Sequence, residues 1–251
     1  MQSRKKFIAL LAVTLFGVTT FVPSVEAAKS NANVEFEAPD EAPAILNPDY
    51  PDEAPTDEQE EERDDNVTGD YGVLTLDFIS DLNFGKQKLS PKAETYFLEN
   101  ATTPFAQVTD VRDTGKGWRL VAELDSFKDT SNLSSLPGAT ITLNNTSHVT
   151  QSENKSAAPT SAPEEIILSA DNTSTPITTA SDTTAGEPQG LGTWITRWID
   201  IDENPNSNES VALNVPAAVA TEDKHTADIT WTLYNTPTGT DVEAVNVVTE
   251  P

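Results

Sequence analysis

The chain has no cysteine. That excludes disulfides, thiolate zinc sites and cysteine nucleophiles. Its one methionine is Met1, and His148 and His225 are its only histidines. Neither histidine falls in a Gly-x-Ser-x-Gly or His-Glu-x-x-His pattern, so two common hydrolytic arrangements are absent. Cations are scarce: 15 Lys and Arg stand against 41 Asp and Glu, for a formal charge of −26. Such a surface repels phosphate, so nucleic acid and anionic lipid are not expected partners. With so many carboxylates, pairs spaced for glycoside hydrolysis arise by chance and identify nothing. The run Asp200-Ile201-Asp202-Glu203-Asn204 opens like a calcium loop, but Pro205 stands where Gly is needed and Val211 where Glu is needed. No enzyme activity, cofactor or metal is expected.

Apolar residues are concentrated at the start. Arg4, Lys5 and Lys6 precede the apolar run from Phe7 to Val22, and Val25-Glu26-Ala27 follows. This is the order of a secretory signal peptide, residues 1–27, cleaved after Ala27. An uncleaved anchor is the alternative. No later run approaches the ~20 apolar residues of a membrane helix, so the mature form is expected to have no membrane span. Residues 28–70 are acidic and rich in proline, with near-continuous charge from Glu58 to Asp65. Too little apolar surface is available there to offset the entropy of ordering. A disordered, extended linker without contacts to the rest is expected.

From Tyr71 the texture changes to short alternating runs. Strands are expected at 72–79, 105–109, 117–124, 139–143, 164–168, 192–201, 211–215, 226–235 and 242–248. Residues 144–163 and 169–190, rich in Ser, Thr, Asn, Ala and Pro, read as long surface loops. Nine short strands and no 3.6-residue periodicity point to an all-β fold, a β-sandwich of the Ig-like kind, with a closed barrel as the alternative.

Two of these strands carry a Trp and a Leu two residues apart. Residues at that spacing face the same way in a strand. Trp118, Leu120, Ala122 and Leu124 share one face; Ala227, Ile229, Trp231 and Leu233 share another. Both faces are expected to enter the core. The later run, with Ile229, Thr230, Trp231, Leu233 and Pro237, resembles the C-terminal motif of the WxL domain, a wall-binding domain of Gram-positive surface proteins. His225 stands where that motif has Tyr. Asp110 to Trp118 resembles the family's Asp-x-Arg-Gly-Thr-Gly-x-Gly-Trp run, with Asp113 in place of Gly. Leu76-Asp77-Phe78 and Asn83-Phe84-Gly85 resemble its opening segment. The resemblance covers residues 71–251.

The resemblance implies a secreted protein at the cell wall or cell surface. It implies non-covalent attachment to peptidoglycan or another wall polymer through a C-terminal WxL domain, within a complex of exported surface proteins. The absence of a C-terminal wall-sorting motif fits non-covalent attachment. The alternative is an adhesin or structural component held on the wall by a partner protein. Trp194 and Trp198 share their strand face with Thr196 and Asp200, and their rings would lie about 13 Å apart. They are either buried in a central strand or exposed as a platform for glycan stacking. Because the domain and the wall are both acidic, binding is expected to rest on uncharged contacts and not to weaken in salt.

Overall fold

β-branched and aromatic residues dominate the runs that form strands, as a pleated, half-buried surface favours. The computed structural model describes residues 30–63, 66–99, 102–112, 114–161, 165–183, 187–199, 209–239 and 244–249. The expected signal peptide and the Asp200–Asn204 run lie outside these. In chain order the described elements are α1 (Asp57–Arg63), β1 (Leu74–Ile79), β2 (Glu94–Phe97), β3 (Phe105–Asp110), β4 (Trp118–Leu124), β5 (Thr140–Asn144), β6 (Thr146–Val149), β7 (Thr160–Ser161), β8 (Glu165–Ser169), β9 (Thr175–Ala180), β10 (Gly192–Trp198), β11 (Val211–Val215), β12 (Ile229–Tyr234) and β13 (Ala244–Thr249). Residues Met1–Glu37 form one unit, of which 30–37 are described and exposed; Ala38–Pro251 form the other.

The second unit is an all-β sandwich built from three antiparallel sheets. Their strand orders are β1-β3-β10-β6, β2-β11-β5-β8 and β13-β12-β4-β9-β7. One apolar core draws on all three: Leu76 and Trp198 from the first, Ile141, Leu168 and Leu213 from the second, Leu120, Ile177 and Leu233 from the third. Burying such side chains stabilises by roughly 1.5–3 kcal/mol each.

The expected loops are corrected in part. Residues 144–163 contain β6 and β7, and residues 169–190 contain β9. Apart from Val149 and Ile177 these strands have no large apolar residue, and Ser, His and Pro interrupt their β-branched threonines. Pairing supplies the rest: β6 adds to the edge of β10 and β9 pairs with β4. Strand β2 was also not expected; only alternate residues of Glu94–Phe97 are half-buried, against β11.

The first sheet is buried on both faces, and its second cover is a segment of the acidic arm. A bulge between Leu76 and Phe78 reverses the side-chain alternation of β1. Leu74, Leu76 and Ile79 enter the main core, while Phe78 joins Phe105 and Ile195 in a second cluster. Ile45 and Leu46 pack on that cluster. The backbone there is held as a strand partner would hold it. Leu46 N donates to Gln107 Oε1 at 2.8 Å, and Gln107 Nε2 donates to Ala44 O at 3.0 Å. Arg197, itself buried, donates to Pro48 O at 2.7 Å, and Thr103 Oγ1 donates to Asp49 Oδ1 at 2.6 Å.

The arm therefore differs from the contact-free linker expected over residues 28–70. Asn47 makes a turn, its Oδ1 accepting from Asp49 N and Tyr50 N. Helix α1 starts with a reciprocal cap: Gln59 N donates to Thr56 Oγ1 and Thr56 N to Gln59 Oε1. Asp57, Glu58 and Glu60 lie in its first turn, where acids favour the helix dipole. The segment is acidic, but its two aliphatic residues and its Asn, Thr and Gln match what the sheet presents.

Candidate functional site

The two Trp-x-Leu motifs lie on adjacent strands of the third sheet. In the β12–β4 register, Leu233 faces Leu120, Trp231 faces Ala122 and Ile229 faces Leu124. Trp118, Leu120, Trp231 and Leu233 are all buried, as the alternation predicts. Ile229, Thr230 and Pro237 are half-buried. The Trp118 indole donates to Gly190 O at 3.0 Å. A side chain on Gly190, at φ +68°, would meet Trp118 Nε1 and the Ala180 methyl. Gly117 has φ +71°, and a Cβ there would collide with the Ala180 carbonyl. The glycine before Trp118 is thus required by backbone conformation and by close approach.

Asp110 and Arg112 tie the two motifs together. Arg112 Nε and Nη2 donate to the two Asp110 carboxylate oxygens at 2.9 and 2.8 Å. Nη2 also donates to Gly117 O at 2.7 Å, and Nη1 to Asn235 O at 2.9 Å. One guanidinium therefore fixes the approach to Trp118 and the exit from the Ile229–Leu233 run. The pair is nearly buried, and removing one partner of such a pair costs about 3–5 kcal/mol. Asp113 lies outside the described residues.

Trp194 and Trp198 are not a platform. Both are buried, at 5% and 2% exposure. Stacking on a glycan needs an open ring face, so of the two readings the buried central strand holds and the candidate glycan platform is corrected. Trp198 lies in the main core, its ring centroid 6.1 Å from that of Trp231. The Trp194 indole donates to Leu191 O at 2.9 Å. Thr196 looked like a solvent-facing neighbour but is buried against His148, with Oγ1 3.2 Å from Nδ1. The other His148 nitrogen is 3.1 Å from Ser161 Oγ. Burial pushes the imidazole pKa down to about 4. A serine and a histidine thus meet, but the group on the far nitrogen is a hydroxyl, not the carboxylate that would stabilise an imidazolium.

A cleft of about 890 Å³ opens between the 79–89 segment and the 220–229 segment. Its floor includes Phe84, Tyr96, Phe127, Leu136, Ile229 and Trp231. Phe127, Leu136 and Trp231 are buried core residues, while Phe84, Tyr96 and Ile229 are half-buried and pack on that core. Its rim carries Lys86, Lys88 and Lys224 with Asp81, Glu222 and Asp223. The Asn83-Phe84-Gly85 turn, in which Gly85 N donates to Asn83 Oδ1 at 2.9 Å, sits on one side. The Ile229–Trp231 run sits below. Two of the runs that resemble the WxL family therefore line one cleft, although about 145 residues separate them in sequence.

The family described as "WxL domain surface cell wall-binding" matches residues 24–237. The chain belongs to this family. No curated protein and no solved structure matches the chain. Membership makes this a cell wall-binding surface protein. The match to the WxL domain starts well before residue 71, and the structure agrees that the arm from Ala38 onward shares a unit with the strands. Within the WxL domain the named Trp and Leu residues build the core, and the cleft above Trp231 is the opening they support. Nothing in the linear sequence joins 79–89 to 220–229, so the cleft was not expected. No helix among the described residues is long and apolar enough to cross a membrane.

Proposed function

We propose that the protein is exported, loses residues 1–27, and is held non-covalently on peptidoglycan at the Gram-positive surface through this C-terminal WxL domain. In this reading it acts by binding and not by catalysis, beside other exported surface proteins. The observation that carries the reading is the cleft: family-like runs from both ends of the domain converge on it, and its apolar floor with a polar rim suits a polymer that offers both kinds of group. The reading is tested by pull-down of the secreted protein with purified peptidoglycan stripped of protein. Direct retention is the expected result. Retention only after another exported protein is added would replace it with the alternative, a component held on the wall by a partner.

A further inference from the structure

We infer that the cleft takes the stem peptides of peptidoglycan, with Lys86, Lys88 and Lys224 binding their carboxylates and the aromatic floor receiving their methyl groups. This deepens the proposed function and rests on it.

The argument starts from unpaired charge. From residue 71 onward the chain has 10 cations among 25 acids. Several of those cations are satisfied within the fold. Arg112 pairs with Asp110, Lys128 with Asp125 and Arg197 with Asp49, and Arg119 donates to Thr238 O at 3.4 Å. Among the described residues, none bonds the ammonium of Lys86, Lys88 or Lys224. All three are exposed and all three line the same cleft. In a domain so rich in acids, three ammoniums without a partner at one opening are a local concentration of cations.

The acids on the rim keep their charge: Asp81, Glu222 and Asp223 share it with the lysines, and the Glu99 carboxylate lies against Gly85. Asp223 accepts from Thr130 Oγ1 and from Lys224 N, each carboxylate oxygen being occupied, at 2.9 and 2.8 Å. Asp81 is also engaged within the chain. Glu222, Asp81 and Asp223 are all exposed on the rim. The rim thus offers both signs above an apolar floor. Among wall polymers, sugar strands carry no charged groups along their rings. Teichoic acids carry repeated phosphates along a polyol. Stem peptides carry carboxylates, an amine and several methyls within a few residues. They offer groups for both the rim and the floor.

This reading departs from the expectation, drawn from net charge, that binding does not weaken in salt. A local ammonium cluster attracts carboxylates at contact, and salt screens that attraction over ~10 Å at 0.1 M.

The test uses the full mature protein and three probes: teichoic-acid-free peptidoglycan, the same material with its carboxylates amidated, and walls that retain teichoic acid. The variant is Lys86→Ala/Lys88→Ala/Lys224→Ala; Lys92→Ala/Lys116→Ala/Lys155→Ala, three exposed lysines outside the cleft, control for net charge. The triple variant should lose about tenfold in affinity for peptidoglycan, as three modest ion pairs would give. Its melting temperature should equal that of the parent, and the control should bind as the parent does. Amidation should weaken the parent similarly and the triple variant no further. Equal binding by the triple variant and the parent would overturn the inference and leave the proposed function standing. Binding that needs teichoic acid would overturn it in favour of phosphate. A parent that is not retained on peptidoglycan would remove the proposed function itself.

Discussion

The indole rings of Trp198 and Trp231 lie 6.1 Å apart, tilted by 38°, and bring the first and third sheets together in the core. Trp231 belongs to the motif that identifies the family; Trp198 is 33 residues upstream on β10. This contact assigns both to one packing unit. Replacing either by Ala should cost on the order of 3–5 kcal/mol. A double-mutant cycle should show coupling of about 0.5–1.5 kcal/mol. Trp118→Ala and Trp194→Ala should lower the urea midpoint as well, since both side chains are buried. A Trp194 or Trp198 variant with the parent's midpoint and weakened wall retention would restore the platform. It follows that loss of wall retention in any Trp variant means little until folding has been measured.

The face pattern of β4 and β12 was legible because apolar residues occupy every position of one face, with Val121 the buried apolar exception on the other face of β4. In β10 the same logic left two readings open. Polar Thr196 kept a solvent-facing reading open, whereas its hydroxyl, set against the half-buried His148 ring, is itself buried. Strand β9 was hidden by Pro176 and its threonines. It accommodates Pro176 where its partner β7, only two residues long, does not reach. The arm was hidden by composition: a sum over 28–70 conceals Ile45-Leu46 and the capping pair Thr56 and Gln59. Those four residues were the available signal. The cleft had none, because its walls are brought together only by the fold.

The arm supplies the next test. A chain that starts at Tyr71 loses the cover over Phe78, Phe105 and Ile195. It also leaves Gln107 and Arg197 without the backbone carbonyls of Ala44 and Pro48. Each buried group stripped of a partner costs about 1–3 kcal/mol. The truncated chain should unfold several kcal/mol more easily than the mature protein, or fail to fold. Asn47→Ala asks the same question with one residue. Asn47 is buried, accepts from Asp49 N, Tyr50 N and Gln59 Nε2, and donates to Ala54 O. It should cost about 1–3 kcal/mol. Equal melting of the mature and truncated proteins would mean that the arm does not stabilise the sheet it covers.

His148 gives the fold a pH dependence with a definite sign. Burial lowers its pKa from the ordinary 6.5 to about 4, so the folded ring stays neutral while the unfolded ring gains a proton below pH 6.5. Between those values the unfolded state binds more protons, and stability therefore rises with pH. The contribution is fully present above pH 6.5 and is lost as pH falls toward 4. A shift of this size corresponds to about 3 kcal/mol. Buried Asp77 acts in the opposite direction. Desolvation raises its pKa despite hydrogen bonds from Thr109, Thr75 and Gln107. Its share is full below the unfolded carboxylate value and declines as pH rises through the folded one. The two overlap in the parent protein, so the parent's curve alone does not isolate the histidine. His148→Gln keeps a donor and an acceptor but cannot titrate. Urea unfolding of both proteins at pH 7, 6, 5 and 4 should give a variant curve flatter by about 3 kcal/mol over that range. Parallel curves would mean that the folded imidazole takes up its proton at the ordinary pH, and that the pocket between Thr196 and Ser161 is open to water.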